Sequence, residues 1–199
     1  MLRIWLIRHG MTEGNKHARY IGVTDEPLCA EGKQLLQKMS YPVPQVIFAS
    51  PLLRCRETSA LLFPGMAAEI LDELAECDFG IFENKNYKEL AGNAEYQAWI
   101  DSNGILPFPG GESREAFKKR SAAGFQKAVD WCLQEQVEDA ALVTHGGTIM
   151  NIMEEYAVPY RSFYQWHVKN GGGYLVRISE TDWKNGRKEV HLEYAVMEG

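Results

Sequence analysis

Two histidines stand where an apolar run ends, and each is followed by glycine. Residues 4–7 lead into Arg8 and His9, and residues 140–143 lead, through one threonine, into His145. A neutral imidazole can attack phosphorus and carry a phosphoryl group covalently, while an arginine offers a planar fork that matches phosphate oxygens. Because parallel strands put their carboxyl ends at one edge of a sheet, where ligands bind, we expect the two histidines to face one pocket.

Three other clusters contain residue types that would serve the same chemistry. Arg54 falls in the first turn of a predicted helix after the strand 46–49. Glu76 lies in a loop among aromatic residues, where a raised pKa would make it a proton donor. His145 and Gly146 precede a helix whose free N–H groups favour anions. Taken singly, each cluster also fits a structural role: a capped helix with surface arginines, a solvated acid in a turn, or a strand-to-helix turn.

The elements that must position these residues follow from apolar periodicity and turn residues. Strands that alternate with helices predict an α/β fold, a three-layer α/β/α sandwich around a mostly parallel central sheet. Ser50 is expected to cap the helix after the second strand, with Pro51 in its first position, and the last two strands are expected to pair at one edge. The predicted strands are 2–8, 46–49, 69–71, 140–144, 174–178 and 188–196, and the predicted helices are 30–39, 50–63, 112–136 and 148–156, with one or two short helices within 87–102.

Composition and charge exclude several classes of function. A length of 199 residues suits a single domain, predicted to span 1–199, with a substantial core. A net charge of -6 argues against nucleic acid as a partner, although local arginines can still bind a small anion. The first apolar stretch is too short for a signal or a membrane span, which predicts a cytoplasmic protein without a membrane partner. No CxxC or Cys/His cluster suggests zinc, and the four cysteines are expected to be reduced: Cys29, Cys55, Cys77 and Cys132.

The order of the motifs is more specific than any one of them. Arg-His-Gly at 8–10, Ser-Pro-Leu-Leu-Arg at 50–54, Glu-Cys-Asp-Phe-Gly at 76–80 and Thr-His-Gly-Gly at 144–147 together resemble the histidine phosphatase superfamily, the phosphoglycerate mutase-like group. The resemblance extends from residue 3 to about residue 178. It implies a phosphoglycerate mutase-like fold and catalysis without a metal or another cofactor.

The resemblance also implies a role for each matching residue. His9 would be the phosphorylated nucleophile, and Glu76 would be the general acid toward the leaving alcohol and then the base that activates water. Met11 departs from the family pattern, which commonly has an acid there, and Cys29 stands where Ser or Thr often caps the first helix, which predicts a weaker cap. The phosphate-binding residues would be Arg8, Asn15, Arg54, His145 and Gly146.

The reaction type is predicted from chain length. Mutases of this family usually have an extra segment between the acid cluster and the long helix, whereas here only residues 81–110 separate Gly80 from Gly111. The chain therefore resembles the small phosphatases of the family, such as α-ribazole phosphatase. We predict a metal-independent phosphomonoesterase that acts on a small-molecule phosphate ester. The alternatives are mutase-type phosphoryl transfer and a non-catalytic phosphate-binding module; a nucleotide-binding protein is disfavoured because neither GxxxxGK[ST] nor GxGxxG after a strand occurs.

The leaving group is expected to bind under residues 82–112, a substrate-covering insertion between the acid cluster and the long helix. The aromatic and polar residues there suit a nucleoside-like or a sugar phosphate. The C-terminal strand pair also offers an edge through which a homodimer could form. The candidate substrate-binding residues are Thr24, Tyr87, Trp99, Phe108, Glu112 and Ser113.

Overall fold

The computed structural model describes residues 1–196, which form one seven-stranded sheet with helices along the chain between its strands. The strands are β1 (Leu2–Arg8), β2 (Val46–Ala49), β3 (Ala68–Ile70), β4 (Asp139–Thr144), β5 (Ala157–Val158), β6 (Gly173–Ile178) and β7 (Val190–Val196). The α-helices are α1 (Glu13–Lys16), α2 (Ala30–Gln37), α3 (Leu53–Leu62), α4 (Ala94–Asp101), α5 (Arg114–Gln134), α6 (Gly146–Tyr156) and α7 (Glu180–Lys184).

The strand order β3-β2-β4-β1-β6-β7-β5 places β1 and β4 side by side at the centre. The pairs β1–β4, β2–β4, β2–β3 and β5–β7 are parallel, and β1–β6 and β6–β7 are antiparallel. In the β1–β4 register Arg8 lies opposite Thr144, so the residues that follow, His9 and His145, leave the sheet at the same edge. The predicted α/β class with a mostly parallel sheet is confirmed.

Helices cover both faces of the sheet. Neighbouring residues of a strand point to opposite faces, so each strand contacts both helical layers. In β4, Ala140 and Leu142 pack with side chains of α5 and α6. Ala141 and Val143 pack on the other face with Cys55 of α3. All four are fully buried, as is typical of a strand between two helical layers. The central strands that end at the two histidines are therefore packed between two helical layers.

Three predicted helix starts differ from the structure. Helix α5 begins at Arg114, two positions after the predicted start. The prediction that Ser50 caps the second helix is wrong: α3 begins at Leu53 with Leu52 at its N-cap. Ser50 is instead fully buried, with its Oγ 2.7 Å from Nε2 of His145, so the side chain is used in the candidate site. The last long helix starts at Gly146, two positions before the predicted start. At α2, Cys29 is the N-cap, and its Sγ accepts a hydrogen bond from the Gly32 amide at 3.3 Å.

The C-terminal strand pair also differs in its place. Strands β6 and β7 pair as expected, but they do not form the sheet edge, because Ala157 and Val158 of β5 pair with Val190 and His191 of β7. Within 87–102, the helix that forms is α4, which Asn93 caps. None of the helices in residues 1–196 is both long and apolar enough to cross a membrane.

Candidate active site

His9 lies directly after β1 and is buried, with 3% of its surface exposed. Its Nδ1 is 2.6 Å from the carbonyl oxygen of Gly10. Because a carbonyl can only accept, Nδ1 holds the hydrogen and Nε2 keeps its lone pair. Burial, followed by the charges of Arg54 and Arg8, lowers the pKa of His9 well below 6.5. The imidazole is therefore neutral at physiological pH and has the tautomer of a nucleophile.

Two arginines place fixed positive charge near His9. Arg54, in the first turn of α3, is fully buried, and its Nη atoms donate to carbonyl oxygens of the loop 22–24, each at 2.8 Å. Arg8, at the end of β1, donates from Nη1 to the carbonyl oxygen of Val168 at 2.8 Å. Neither contact uses a carboxylate, so the charges stay available to an anion. Charge of this kind stabilises a transferring phosphoryl group.

His145 packs against His9, with the two imidazole centroids 5.1 Å apart. Nε of Arg54 lies 3.3 Å from its Nδ1, and Oγ of Ser50 lies 2.7 Å from its Nε2. An arginine only donates, so Nδ1 accepts and the hydrogen of His145 is on Nε2. Burial, followed by the charge of Arg54, lowers the pKa of His145 and favours this neutral form. In this form only Nε2 can donate to a phosphoryl oxygen, and that oxygen would have to replace the hydroxyl of Ser50.

Among the described residues, Glu76 supplies the one carboxyl group that lines the cavity beside Arg8. Its oxygens accept hydrogen bonds from the backbone amides of Cys77 at 3.0 Å and Gly147 at 2.9 Å. Those bonds favour the ionised form, but burial is the larger effect and raises the pKa of Glu76 above 4.5. A carboxyl group whose pKa is raised toward neutrality can act as a general acid and, once ionised, as a general base.

A cavity of about 430 Å³ opens beside these residues, within the size range of small-molecule sites. One wall is aromatic: the ring centroids of Phe79 and Phe108 are 4.9 Å apart, and those of Trp99 and Phe108 are 5.1 Å apart. The cavity therefore extends from Arg8 and Glu76 into a mostly aromatic compartment. Its other side chains include Tyr20, Arg114, Phe117, Asn151, Phe163 and Tyr164.

Comparison with known proteins identifies the family of this chain. The sequence model of the histidine phosphatase superfamily (branch 1) matches residues 4–190. The chain belongs to the histidine phosphatase superfamily. The predicted family and the predicted enzyme class, a phosphatase, are thereby confirmed.

Individual relatives agree with this membership. The adenosylcobalamin/α-ribazole phosphatase of Salmonella typhimurium is 30% identical over 189 residues, which cover 90% of this chain and 92% of the relative. The crystal structure of the α-ribazole phosphatase from Shigella flexneri matches with a TM-score of 0.81 at 23% identity, over 98% of this chain and 96% of that one. The phosphoglycerate mutase from Thermus thermophilus matches with a TM-score of 0.69 at 26% identity, over 100% of both chains. The predicted phosphoglycerate mutase-like fold is confirmed.

The opposite pKa shifts in this histidine phosphatase predict how its activity varies with pH. The raised pKa of Glu76 keeps its carboxyl group protonated above pH 4.5. Turnover of an alkyl phosphate, which needs that proton, should fall as the pH rises through the raised pKa. The lowered pKa of His9 should keep the nucleophile neutral as the pH falls through 6.5. Profiles of kcat/KM against pH for an alkyl phosphate and for p-nitrophenyl phosphate test this. The expectation is contradicted if kcat/KM for the two substrates falls in the same way at high pH. It is also contradicted if kcat/KM is lost at low pH with a midpoint at 6.5.

Glu83 is a positioning residue that motif reasoning missed. Its carboxylate accepts hydrogen bonds from the backbone amides of Gly22 at 3.0 Å and Phe79 at 3.1 Å, and from the hydroxyl of Thr24 at 2.6 Å. The loop it holds, residues 22–24, supplies the carbonyl oxygens that bind Arg54. Glu83 therefore positions Arg54 through the loop. The contacts with Gly22 and Thr24 are remote in sequence, and no local spacing in the sequence signals them.

Replacing Glu83 with glutamine should weaken both the fold and catalysis. The substitution removes charge-assisted hydrogen bonds, which predicts a loss of about 2 kcal/mol in the free energy of unfolding. The released loop would let Arg54 shift, and we expect kcat to fall by roughly tenfold because small misplacements of catalytic groups are costly. Denaturant unfolding and p-nitrophenyl phosphate turnover measure the two effects. The control is Glu89→Gln, whose exposed pair with Arg19 contributes little; equal behaviour of the two variants would contradict the role of Glu83.

Two of the predicted phosphate-binding residues lie in the helices that follow β1 and β4. Asn15 is in the short helix α1, and its Oδ1 accepts hydrogen bonds from Nδ2 of Asn170 at 3.0 Å and from the Thr12 amide at 3.3 Å. Gly146 is the first residue of α6. A Cβ at this position would lie 3.4 Å from the guanidinium of Arg8, an ordinary van der Waals contact, so the helix start lies directly beside this charge.

The predicted substrate-binding residues separate into two groups. Trp99 and Phe108 line the cavity. Tyr87 is 58% exposed and is absent from the cavity lining. Thr24 also lies outside the lining. Its hydroxyl donates to Glu83, and its carbonyl oxygen accepts from Arg54. The structure thus brings only part of the 82–112 segment to the catalytic cluster.

Glu112 and Ser113 support the site from outside the cavity. The carboxylate of Glu112 binds the guanidinium of Arg120 at 2.7 Å, and Arg120 donates to the backbone oxygen of Glu76 at 3.1 Å. Ser113 is the N-cap of α5, and its Oγ accepts from the Ala116 amide at 3.1 Å. These two residues therefore fix the start of the long helix and the backbone of the candidate acid.

One cluster in the described part of the chain has the residue types of a metal site. The ligand atoms of Glu13, Cys29 and Glu31 lie within 4.8 Å of one another. Nζ of Lys16 already binds both carboxylates, at 3.4 and 2.7 Å, and the cysteine sulfur caps α2. A lysine charge in this position competes with a cation, and the cluster lies outside the catalytic cavity.

Proposed function

We propose that this histidine phosphatase is a metal-independent phosphomonoesterase that hydrolyses a small-molecule phosphate ester through a phosphohistidine on His9. The observation that carries the proposal is the buried imidazole, whose Nδ1 is fixed by the Gly10 carbonyl at 2.6 Å so that Nε2 presents its lone pair. Arg8 and Arg54 supply the positive charge that a metal would otherwise provide. Asn15 and the start of α6 at Gly146 complete the proposed phosphate site.

In the first proposed step, Nε2 of His9 forms a bond to phosphorus as the bond between phosphorus and the ester oxygen breaks. Glu76 gives its proton to the departing oxygen, which leaves as a neutral alcohol. The two arginines balance the charge that spreads over the phosphoryl oxygens. His145 would contribute by donating from Nε2 to one of these oxygens, which would replace the hydroxyl of Ser50.

In the second proposed step, the Glu76 carboxylate takes a proton from a water molecule. The water oxygen forms a bond to phosphorus, and the bond between phosphorus and Nε2 of His9 breaks. The products are inorganic phosphate and a neutral imidazole, and Glu76 is protonated for the next cycle. One carboxyl group can serve both steps because its pKa is raised by burial.

Mutase-type phosphoryl transfer is the second candidate, and Arg114 is the observation that favours it. Its guanidinium lines the cavity, where it would meet a substrate carboxylate. The same guanidinium lies 3.6 Å from the carboxylate of Glu154 and 5.6 Å from the ring of Phe163, so its charge is already partly balanced. The predominantly aromatic lining is better suited to a flat, apolar leaving group. A non-catalytic phosphate-binding module would not need both a nucleophile and a general acid, so the presence of candidates for both disfavours this third alternative.

Two assays on the wild-type protein test the proposed function. The first is hydrolysis of p-nitrophenyl phosphate in the presence of EDTA, and the second is interconversion of 3- and 2-phosphoglycerate. We expect steady hydrolysis that EDTA does not affect and no efficient interconversion. Hydrolysis that is lost with EDTA, or rapid interconversion, would contradict the proposal. Inactivity in both assays would favour the phosphate-binding module.

The proposed leaving-group compartment predicts substrate-dependent effects of Phe108→Ala. Removing this ring should lower kcat/KM for bulky aromatic phosphates by roughly tenfold, from lost apolar contact. Turnover of a small alkyl phosphate should change much less. The matched control is Tyr87→Ala, which removes an exposed ring outside the cavity. Equal losses on all substrates would contradict a role for Phe108 in substrate choice.

The names of the relatives suggest a substrate class. One of them, at 30% identity, is an adenosylcobalamin/α-ribazole phosphatase. We propose that this chain acts on a related phosphate ester, with a flat ring system that suits the aromatic lining and is covered in part by residues 82–112. A single domain over 1–199, a cytoplasmic location and a homodimer stay predictions from the sequence.

A further inference from the structure

The cavity has a buried polar side chain that no step of the proposed reaction uses. Asn151, in α6, is 1% exposed and belongs to the cavity lining. Its Nδ2 donates to Oγ of Ser121 at 3.4 Å. Its Oδ1 is buried, and no group in residues 1–196 donates a hydrogen bond to it. A buried amide oxygen without a donor is unusual in a folded protein.

The orientation of this amide follows from its neighbour. Oγ of Ser121 donates its single hydrogen to the carbonyl oxygen of Phe117 at 2.8 Å. The hydroxyl can therefore only accept from Asn151, which places the amide nitrogen toward Ser121 and leaves Oδ1 as the group without a partner. Rotating the amide would put two acceptors together. The unmatched atom is thus an acceptor.

An unmatched acceptor weakens a fold relative to an apolar side chain of the same shape. Such groups persist where a ligand uses them. The Asn151 side chain lies in a cavity whose other walls are mostly aromatic, including Phe79, Phe108 and Phe163. A polar atom in such a lining fixes the orientation of a bound ring and selects among rings.

We propose that Asn151 is a specificity-determining residue that accepts a hydrogen bond from a donor on the aromatic leaving group. This inference rests on the proposed phosphomonoesterase activity and names the feature that the substrate must have: a flat ring system with an N–H or O–H group. Nε1 of Trp99, a buried donor in the same lining without a partner among the described residues, suits an acceptor on that ring system. A leaving group with both groups would satisfy the cavity.

The test compares naphthyl phosphate with a set of its ring-amino derivatives. In the wild type, at least one amino derivative should have a kcat/KM about five- to tenfold above that of the parent, the effect of one matched hydrogen bond. In Asn151→Leu, which keeps the size of the side chain and removes the acceptor, that preference should disappear. The ratio of the two substrates cancels any general loss of activity. Met150→Leu, a volume-conserving change in the same lining, is the control and should keep the preference.

The stability of Asn151→Leu gives a second readout. We expect its melting temperature to equal or exceed that of the wild type, whereas a merely structural asparagine would lower it on removal. If Asn151→Leu does not fold, Asn151→Ala is used for the ratio. A wild type that hydrolyses every naphthyl phosphate without preferring any donor-bearing ring overturns the inference and leaves the proposed function intact. The inference is also overturned, with the proposed function intact, if the wild type and the Asn151 variant show the same preference for a donor-bearing ring. A wild type that hydrolyses neither these esters nor p-nitrophenyl phosphate overturns the proposed function itself.

Discussion

Replacing His9 with alanine is expected to lower phosphatase activity by roughly 10⁴-fold or more, the scale seen when a covalent nucleophile is removed. Within the described part of the chain, the buried imidazole is the one group that combines a free lone pair with two adjacent guanidiniums. No water molecule can take its place without losing the positioned attack on phosphorus. Steady-state hydrolysis of p-nitrophenyl phosphate measures the effect.

The matched control for this substitution is His17→Ala. The side chain of His17 is 63% exposed and lies 4.0 Å from the carboxylate of Glu13, so its removal should leave turnover unchanged. Circular dichroism of the His9 variant would show whether the fold is retained. A folded His9→Ala protein with activity within tenfold of the wild type would exclude His9 as the nucleophile.

Replacing Glu76 with glutamine has the second largest expected effect, and the size of that effect should depend on the leaving group. A poor leaving group such as an alkyl alcohol needs the proton of Glu76, and its turnover should fall by about 10²- to 10⁴-fold. Nitrophenolate leaves without a proton, so the first step with p-nitrophenyl phosphate should be nearly unaffected. Glutamine keeps the size of the side chain, but its one oxygen can accept from only one of the amides of Cys77 and Gly147, which bind different oxygens of the carboxylate. Single-turnover rates for the two substrate types measure the difference.

Glu73→Gln is the control for this prediction, because Glu73 lies near Glu76 in sequence and forms a surface pair with Lys127. It should leave both rates close to the wild type. If the Glu76 variant loses the same factor on alkyl and nitrophenyl esters in the first step, then Glu76 positions the substrate or the fold and does not donate a proton.

The part of the site that is predictable from sequence is the part built by strand ends. His9 and His145 follow buried β-branched and aliphatic runs, and parallel strands bring such ends to one edge. Arg54 follows a third strand in the same way. For these residues the pattern over a few neighbours decides the position, so the fold class and the place of these side chains at one sheet edge are both predictable from short segments.

The rest depends on contacts between remote segments. The far side of the cavity contains Phe163 and Tyr164 from a 3₁₀ turn (Phe163–Trp166) after α6, a segment without a periodic pattern. Ser50 looks like a helix cap in sequence, but His145 lies within 2.7 Å and uses its hydroxyl instead. Glu83 holds residues 22–24 across a sequence separation that no local rule detects. Such tertiary contacts override local signals.

A rapid-quench experiment on Glu76→Gln with p-nitrophenyl phosphate tests the central claim most directly. The good leaving group allows the first step, while loss of the base slows the second, so the phosphorylated enzyme should accumulate. We predict a burst of nitrophenolate equal to the enzyme concentration and a phosphoryl group on His9, both absent when His9 is also replaced by alanine. A phosphoryl group on another residue, or turnover in which no phosphorylated protein forms, would contradict the account.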